Sequence, residues 1–200
     1  MNTELPTNYD AFLQTVLARE IDQSDVFEGV LALDTATKER LGGWAASVLE
    51  QEEPSSREGL RAAQFAAALL PTALSTVLLG LRSRSDEVKF AVICSLTDVP
   101  RRVLARLAPQ LVPAVWVAAL TSWDSDVQVI AADFMRLVSR KAVRAEVEGR
   151  DLTYAPDLFL WLLAKDVFGR RLPRSLARES FLRKRYWRSS MYRGLWVEEE

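Results

Sequence analysis

Histidine is missing from all 200 residues, so the side chain that most often moves protons or binds metal near neutral pH has no place here. A His-based zinc site and a Ser–His or Cys–His nucleophile are thereby excluded. The single cysteine, Cys94, stands in an apolar run without a basic sequence neighbour to lower its pKa, and it reads as a small core residue. Paired carboxylates occur in EQEE (Glu50 to Glu53) and in DSD (Asp124, Asp126). The first reads as a helix end and the second as a helix cap. Neither pair has a neighbour that would push two carboxyl pKa values apart for acid–base work. A phosphate-binding glycine loop, a GxSxG elbow and a cysteine cluster are all lacking. The expectation is therefore a protein that is not an enzyme and needs neither metal nor cofactor.

What the chain does carry is charge and aromatic surface. Net charge is −1, yet residues 1–60 hold twelve acids against four bases, and residues 165–193 hold ten bases against two acids. Such asymmetry bears on partners rather than on fold. Its centre is the basic C-terminal segment RRLPRSLARESFLRKRYWRSSMYRGLWVEEE, in which Pro173 is placed to open a helix. At about 100° per residue, Arg174, Arg178, Lys184, Arg185, Arg188 and Arg193 fall within roughly half the circumference, with Phe181, Tyr192 and Trp196 among them. Arg183 falls on the far side, near Leu176, Tyr186, Trp187 and Met191. From this segment Arg183, Lys184, Arg185, Trp187, Arg188, Tyr192, Arg193 and Trp196 are the candidate partner-binding residues.

Three readings of the segment stand side by side. It can dock by its Trp and Met face while its arginines pair with the acidic first sixty residues or stay solvated. It can anchor a protein with an acidic surface, for which Arg and aromatic side chains suit. Or it can neutralise phosphates and stack on bases, against which stand the near-neutral net charge and the terminal Glu198, Glu199 and Glu200. Of the remaining tryptophans, Trp44, Trp116, Trp123 and Trp161 sit among apolar residues and are expected in the core.

The elements that must position these residues read as helices throughout. Apolar residues recur at three and four, as in Leu60, Ala63, Ala67 and Leu70, and sustained alternation is missing. Helices are expected near 9–20 and 25–33, then over ATKERLGGWAASVLEQ with Asp34 and Thr35 as cap. EEPSSRE interrupts the chain, and Ser55 or Ser56 can cap the next helix. Ala62 to Leu81 is uncharged over twenty residues, the length of a membrane span. Pro71 at its centre and its weakly apolar Ala-rich half favour two buried helices instead, so no membrane is expected. Pro71 is placed as a first-turn residue, Ser85-Asp86 as a cap, Pro109 or Pro113 as the start of PAVWVAALTSW, and Asp124 or Ser125 as the next cap. Residues 148–157 form a joint, and Gly169 can end the apolar helix that follows.

One stretch occurs nearly twice. SDVQVIAADFMRLV follows DEVKFAVICSLTDV at an offset of 39, matching Val88 with Val127, Ala91 with Ile130, Leu96 with Met135 and Val99 with Val138. A helical hairpin cannot cover its own apolar face, whereas a second copy stacked at the same offset can. An Ala-rich first helix, a Ser/Asp turn and a D-x-V-K/Q opening, carried by Asp86, Val88 and Lys89 and again by Asp126, Val127 and Gln128, resemble the HEAT repeat over about 71–140, and less closely from 36.

The resemblance implies an all-α fold: a right-handed stack of antiparallel helix pairs, a HEAT-like (armadillo-like) α-solenoid with the basic segment appended. Residues 1–35 would be an acidic cap, 36–147 the repeats and 148–200 the C-terminal cap and tail. In such arrays second helices line the concave face, which adds Lys89, Gln128, Asp133 and Arg136 as polar positions there. In size and polarity the chain is similar to bacterial adaptors, inhibitors and toxin-immunity proteins, which implies a non-catalytic module whose partner is another protein with an acidic surface. Alternatives are nucleic-acid binding, including an enzyme similar to helical-repeat DNA glycosylases built on Trp116, Trp123, Asp124, Asp126 and Arg136, and a structural subunit of a larger assembly. The lone cysteine and the acidic, polar start of the chain point to a cytoplasmic protein. No small-molecule substrate is indicated.

Overall fold

A computed structural model describes residues 5–51, 56–169 and 173–178. The regular structure among them is helical and contains no strand. In order the helices are α1 (Tyr9–Ala18), α2 (Gln23–Ala32), α3 (Thr35–Leu49), α4 (Ser56–Ala68), α5 (Leu74–Leu81), α6 (Asp86–Leu96), α7 (Arg101–Leu120), α8 (Ser125–Leu137), α9 (Arg140–Glu148), α10 (Asp157–Leu162) and α11 (Arg174–Arg178). Helix α10 runs on as a π-helical stretch, Leu163–Phe168.

Local chemistry sets several of these starts. Asp34 accepts from the Thr37 amide at 2.9 Å, Ser85 from Val88 at 3.3 Å and Asp124 from Asp126 at 2.8 Å. Each satisfies an amide that the first helical turn leaves unpaired. Asn8, unremarked in the sequence, does the same for Asp10 at 3.0 Å. The expected caps Ser55 and Ser56 lie outside the described side chains. Gly169 ends the π-helical stretch with φ +52° and an amide bonded to Ala164 O at 2.8 Å.

Packing alternates along the chain. Helix α3 packs on α5, α5 on α7 and α7 on α9, while α4 packs on α6, α6 on α8 and α8 on α10. The members α3–α4, α5–α6 and α7–α8 also pack on each other. One contiguous core results, from Phe12, Phe65 and Leu41 through Ile93 and Leu96 to Trp116, Phe134 and Phe159. Helix α7 is the one described helix long and apolar enough to cross a membrane, and half of it is buried against its neighbours.

The 39-residue echo reappears as backbone geometry. The residue ending α5, Arg82, has φ −94°, ψ −1°, and Thr121 at the end of α7 has φ −93°, ψ 3°. The following caps agree as well, Ser85 at −76°, 121° and Asp124 at −79°, 124°. Within both turns a serine hydroxyl accepts from the cap's amide at 3.1 Å, Ser83 from Ser85 and Ser122 from Asp124. Val88 and Val127, Leu96 and Met135, and Val99 and Val138 are all buried.

Prolines behave differently from the expectation. Neither Pro109 nor Pro113 opens a helix, because α7 runs unbroken from Arg101 to Leu120 with both inside it. The carbonyls deprived of a donor are those of Ala105 and Pro109, four residues back, and both residues are exposed, so water can replace the missing bonds. Pro71 precedes rather than begins α5, in a turn entered by a cis Leu70–Pro71 bond.

Two glycines give a paired prediction. A Cβ at Gly80 would lie 2.7 Å from Val92 Cγ2 and 3.3 Å from Leu49 Cδ1, because α5 approaches α6 and α3 closely there. Gly80→Ala should therefore lower Tm by several degrees despite alanine's helix propensity. Gly43, inside α3, has nothing within 4 Å of that position, and Gly43→Ala should raise stability by about 0.5–1 kcal/mol. Thermal melts of the two variants check the opposite signs.

Candidate protein-interaction surface

The turn between α7 and α8 displays the most exposed aromatic side chain described. Trp123 is 98% exposed, contrary to the expectation of a core residue. Its place explains why: it stands between Ser122, whose hydroxyl caps the turn, and Asp124, which caps α8, so its side chain leaves the backbone at the tip. A signal existed in the sequence. Trp123 matches Arg84 at the 39-residue offset, and an arginine in a cap-rich turn marks a solvent position. Trp161 is buried and Trp116 is fully buried with its ring 5.1 Å from Phe159, whereas Trp44 is half-buried against the core, 5.5 Å from the Phe65 ring.

Two of the expected binding residues hold this turn from beneath. Lys89 and Gln128 are 3% and 8% exposed, so they are buried rather than set out on a solvated helix face. Their charge and amide are satisfied by the turn. Lys89 Nζ donates to Thr121 O at 3.2 Å and pairs with Asp86 at 3.0 Å. Gln128 Nε2 donates to Ser122 O at 3.3 Å. Successive helices thus reach the same four-residue turn, α6 through Lys89 and α8 through Gln128. Burial alone would raise the Asp86 pKa, but hydrogen bonds from Lys89 and Ser122, the Lys89 charge and the Asp124 amide outweigh it, and the carboxyl titrates below its ordinary value.

Above this floor lies an open groove of about 420 Å³, walled by Arg82, Arg84, Val117 and Trp123, with Asp86 and Lys89 at its base. Val117 is also exposed. An exposed indole on a fixed turn, an aliphatic wall from α7 and two guanidinium groups from the turn between α5 and α6 form a surface that can seat an apolar side chain beside a carboxylate. A second apolar feature runs along neighbouring helices. Leu60 on α4, Phe90 on α6 and Val129 on α8 are each over one-third exposed, and Phe90 and Val129 are again 39 residues apart.

Arg136 is exposed and paired with Asp133 at 3.1 Å. It lies at the other end of α8, about 18 Å along the axis from Asp124, so the residues named for a glycosylase-like site are not gathered: Trp116 is in the core, Asp124 is a cap and Arg136 is remote. Cys94 is half-buried. Burial, then the Asp98 charge, raises its thiol pKa. Among the described residues no group of three or more Cys, Asp or Glu is placed to hold a metal. Arg183, Lys184, Arg185, Trp187, Arg188, Tyr192, Arg193 and Trp196 lie outside the described residues; the segment's first turn, α11, packs on α9, where Ser175 Oγ donates to Val147 O at 3.4 Å. Set against protein-family profiles, curated proteins and solved structures, the chain matches none of them.

Proposed function

We propose that the chain is a non-catalytic protein-interaction module, a HEAT-like α-solenoid of stacked antiparallel helix pairs whose turn 121–124 presents Trp123 to an acidic partner. In this reading α3, α5, α7 and α9 form one layer and α4, α6, α8 and α10 the other, with α1 and α2 as an N-terminal cap. The carrying observation is a 98% exposed tryptophan on a turn held by two buried polar side chains. Exposed indoles are costly to solubility and are preferred anchors in interfaces, and a pre-organised turn loses little freedom on binding. Arg82 and Arg84 beside it favour carboxylates on the partner, and the basic C-terminal segment adds charge of the same sign.

The test compares wild type and Trp123→Ala for a partner captured from the native host and then purified. Trp123→Ala should weaken that complex about 30-fold, equivalent to about 2 kcal/mol, while Tm stays within a degree or two. The complex should also loosen steeply with salt. A partner that binds Trp123→Ala as tightly as wild type contradicts the reading.

A further inference from the structure

The 39-residue echo also repeats a pair of bases. Arg101 and Arg102 open α7, and Arg140 and Lys141 open α9 at the same offset. The entries agree in geometry: Pro100 has φ −54°, ψ 133° and Ser139 has φ −61°, ψ 122°. In each, the entry carbonyl accepts from two amides, Val103 and Leu104 in one case, Ala142 and Val143 in the other. Helices α7 and α9 pack on each other, and each is entered from the end of α6 or α8, which also pack together. In the stacked arrangement proposed above, both first turns therefore lie on one edge of the molecule, remote from Trp123.

This edge is built against its own electrostatics. A helix N-terminus carries partial positive charge and favours acids in its first turn, yet neither α7 nor α9 has an acid there or a side-chain cap. Both have consecutive bases instead. Arg101, Arg102, Arg106, Arg140 and Lys141 are all exposed, and none has an ion-pair partner among the described residues. Bases elsewhere commonly do, such as Arg40 with Asp10, Arg144 with Glu148 and Arg150 with Glu146. Arg102 and Arg106, one turn apart, wall a shallow groove of about 230 Å³ over Pro71 and Val103.

We infer that this edge binds the phosphate backbone of a nucleic acid, independently of base sequence. The only charged residues on the two first turns are bases, repeated at helix spacing of about 8–10 Å, which complements a polymer with regularly spaced anions; the acid in the turn before α7, Asp98, accepts from Gln23 Nε2 at 2.6 Å. None of the large exposed apolar side chains lies on the first turn of α7 or α9: Trp123 and Val117 border the turn groove, Leu31, Leu60, Phe90 and Val129 lie on α2, α4, α6 and α8, and Tyr154 follows α9. A protein partner would be expected to use such anchors. A backbone contact needs only cations.

The test uses the full-length chain and a fluorescein-labelled duplex DNA of arbitrary sequence, about 20 base pairs long. Wild type should bind with a Kd of about 10 μM or tighter at about 50 mM salt. The variant Arg101→Glu/Arg102→Glu/Arg140→Glu/Lys141→Glu should bind at least tenfold more weakly, and its slope of log K against log salt should be shallower by three to four, about 0.9 for each lost contact. Its Tm should be unchanged or a few degrees higher, since acids suit those helix ends; retained helicity separates lost binding from lost folding. Trp123→Ala should keep wild-type DNA affinity, so failure here is distinguishable from failure of the protein-binding reading. The inference is overturned if wild type does not bind the duplex, or if the edge variant matches wild type in affinity and slope. It is also overturned if Lys184→Glu/Arg185→Glu/Arg188→Glu alone abolishes binding, or if poly-glutamate competes as well as DNA, which would assign the edge to an acidic protein.

Discussion

Arg61→Ala is expected to lower stability by about 3–4 kcal/mol, read as a fall in Tm of roughly 10 °C. Helix α1 ends without a base in its last turn, leaving unpaired carbonyls that form the negative end of the helix dipole. Helix α4 supplies the missing donors from forty residues away. Arg61, 5% exposed, donates Nε to Val16 O at 3.2 Å, Nη2 to Arg19 O at 3.2 Å, and Nη1 to Ile21 O at 3.1 Å and Gln64 Oε1 at 2.8 Å. Arg57 Nη1 takes Leu17 O at 2.9 Å. Truncating Arg61 strands several acceptors at once, the costly way to lose a hydrogen bond. Arg61→Lys should recover less than half of the loss, because one ammonium cannot reproduce the planar fork. Thermal and urea melts of both variants decide it. A loss under about 1 kcal/mol for Arg61→Ala would mean that water satisfies these carbonyls and that the arginine does not fasten α1 to α4.

The second large effect lies at Lys89. Lys89→Met should cost about 2–4 kcal/mol, since it removes the ammonium that bridges Asp86 on α6 to Thr121 O and leaves Asp86 part-buried without its cation. Linkage gives the pH signature. The folded Asp86 pKa is depressed, so its stabilisation is fully present above the unfolded value of 3.8 and is lost as pH falls through the lower folded value. Wild type should therefore lose stability below about pH 4, and Asp86→Asn should be less stable near neutral pH with a flatter acid limb. Some slope should remain in that variant. Asp34, through the Thr37 amide and hydroxyl, and Asp151, through the Thr153 hydroxyl and amide, also titrate below the ordinary value. Equal acid limbs in wild type and Asp86→Asn would remove Asp86 from the account.

What could be read from the chain alone was local or periodic. Asp34, Ser85 and Asp124 were legible as caps because each acts within three residues of itself. The helical class followed from spacing, and the echo between α6 and α8 from direct comparison. Lys89 and Gln128 were misplaced because a polar residue on an amphipathic helix looks the same whether it meets water or a neighbouring turn's carbonyl. For Lys89 that distinction depends on the turn after α7, more than thirty residues away, and for Gln128 on how the same turn folds back beside α8. The unbroken course of α7 was hidden for a related reason: a proline breaks a helix only where its orphaned carbonyl cannot reach water, and the exposure of Ala105 and Pro109 is a tertiary fact. Trp123 shows the same limit in reverse. Its apolar surroundings in sequence favoured the core, and only its alignment with Arg84 marked a turn tip. Apart from Gln64, one turn along α4, Arg61 gave no local sign of its partners, which lie on α1 and the segment after it. The basic C-terminal residues from Arg183 to Trp196, the most conspicuous feature of the sequence, lie outside the described structure.

One physical link ties α6 to the turn between α7 and α8, the reach of Lys89 across to Thr121 O. Amide hydrogen exchange on wild type and Lys89→Met measures it directly. Protection should fall in residues 121–128, more than thirty positions from the substitution, while the amides of α3 keep their wild-type rates. Loss confined to α6, or an equal loss across every helix, would contradict it.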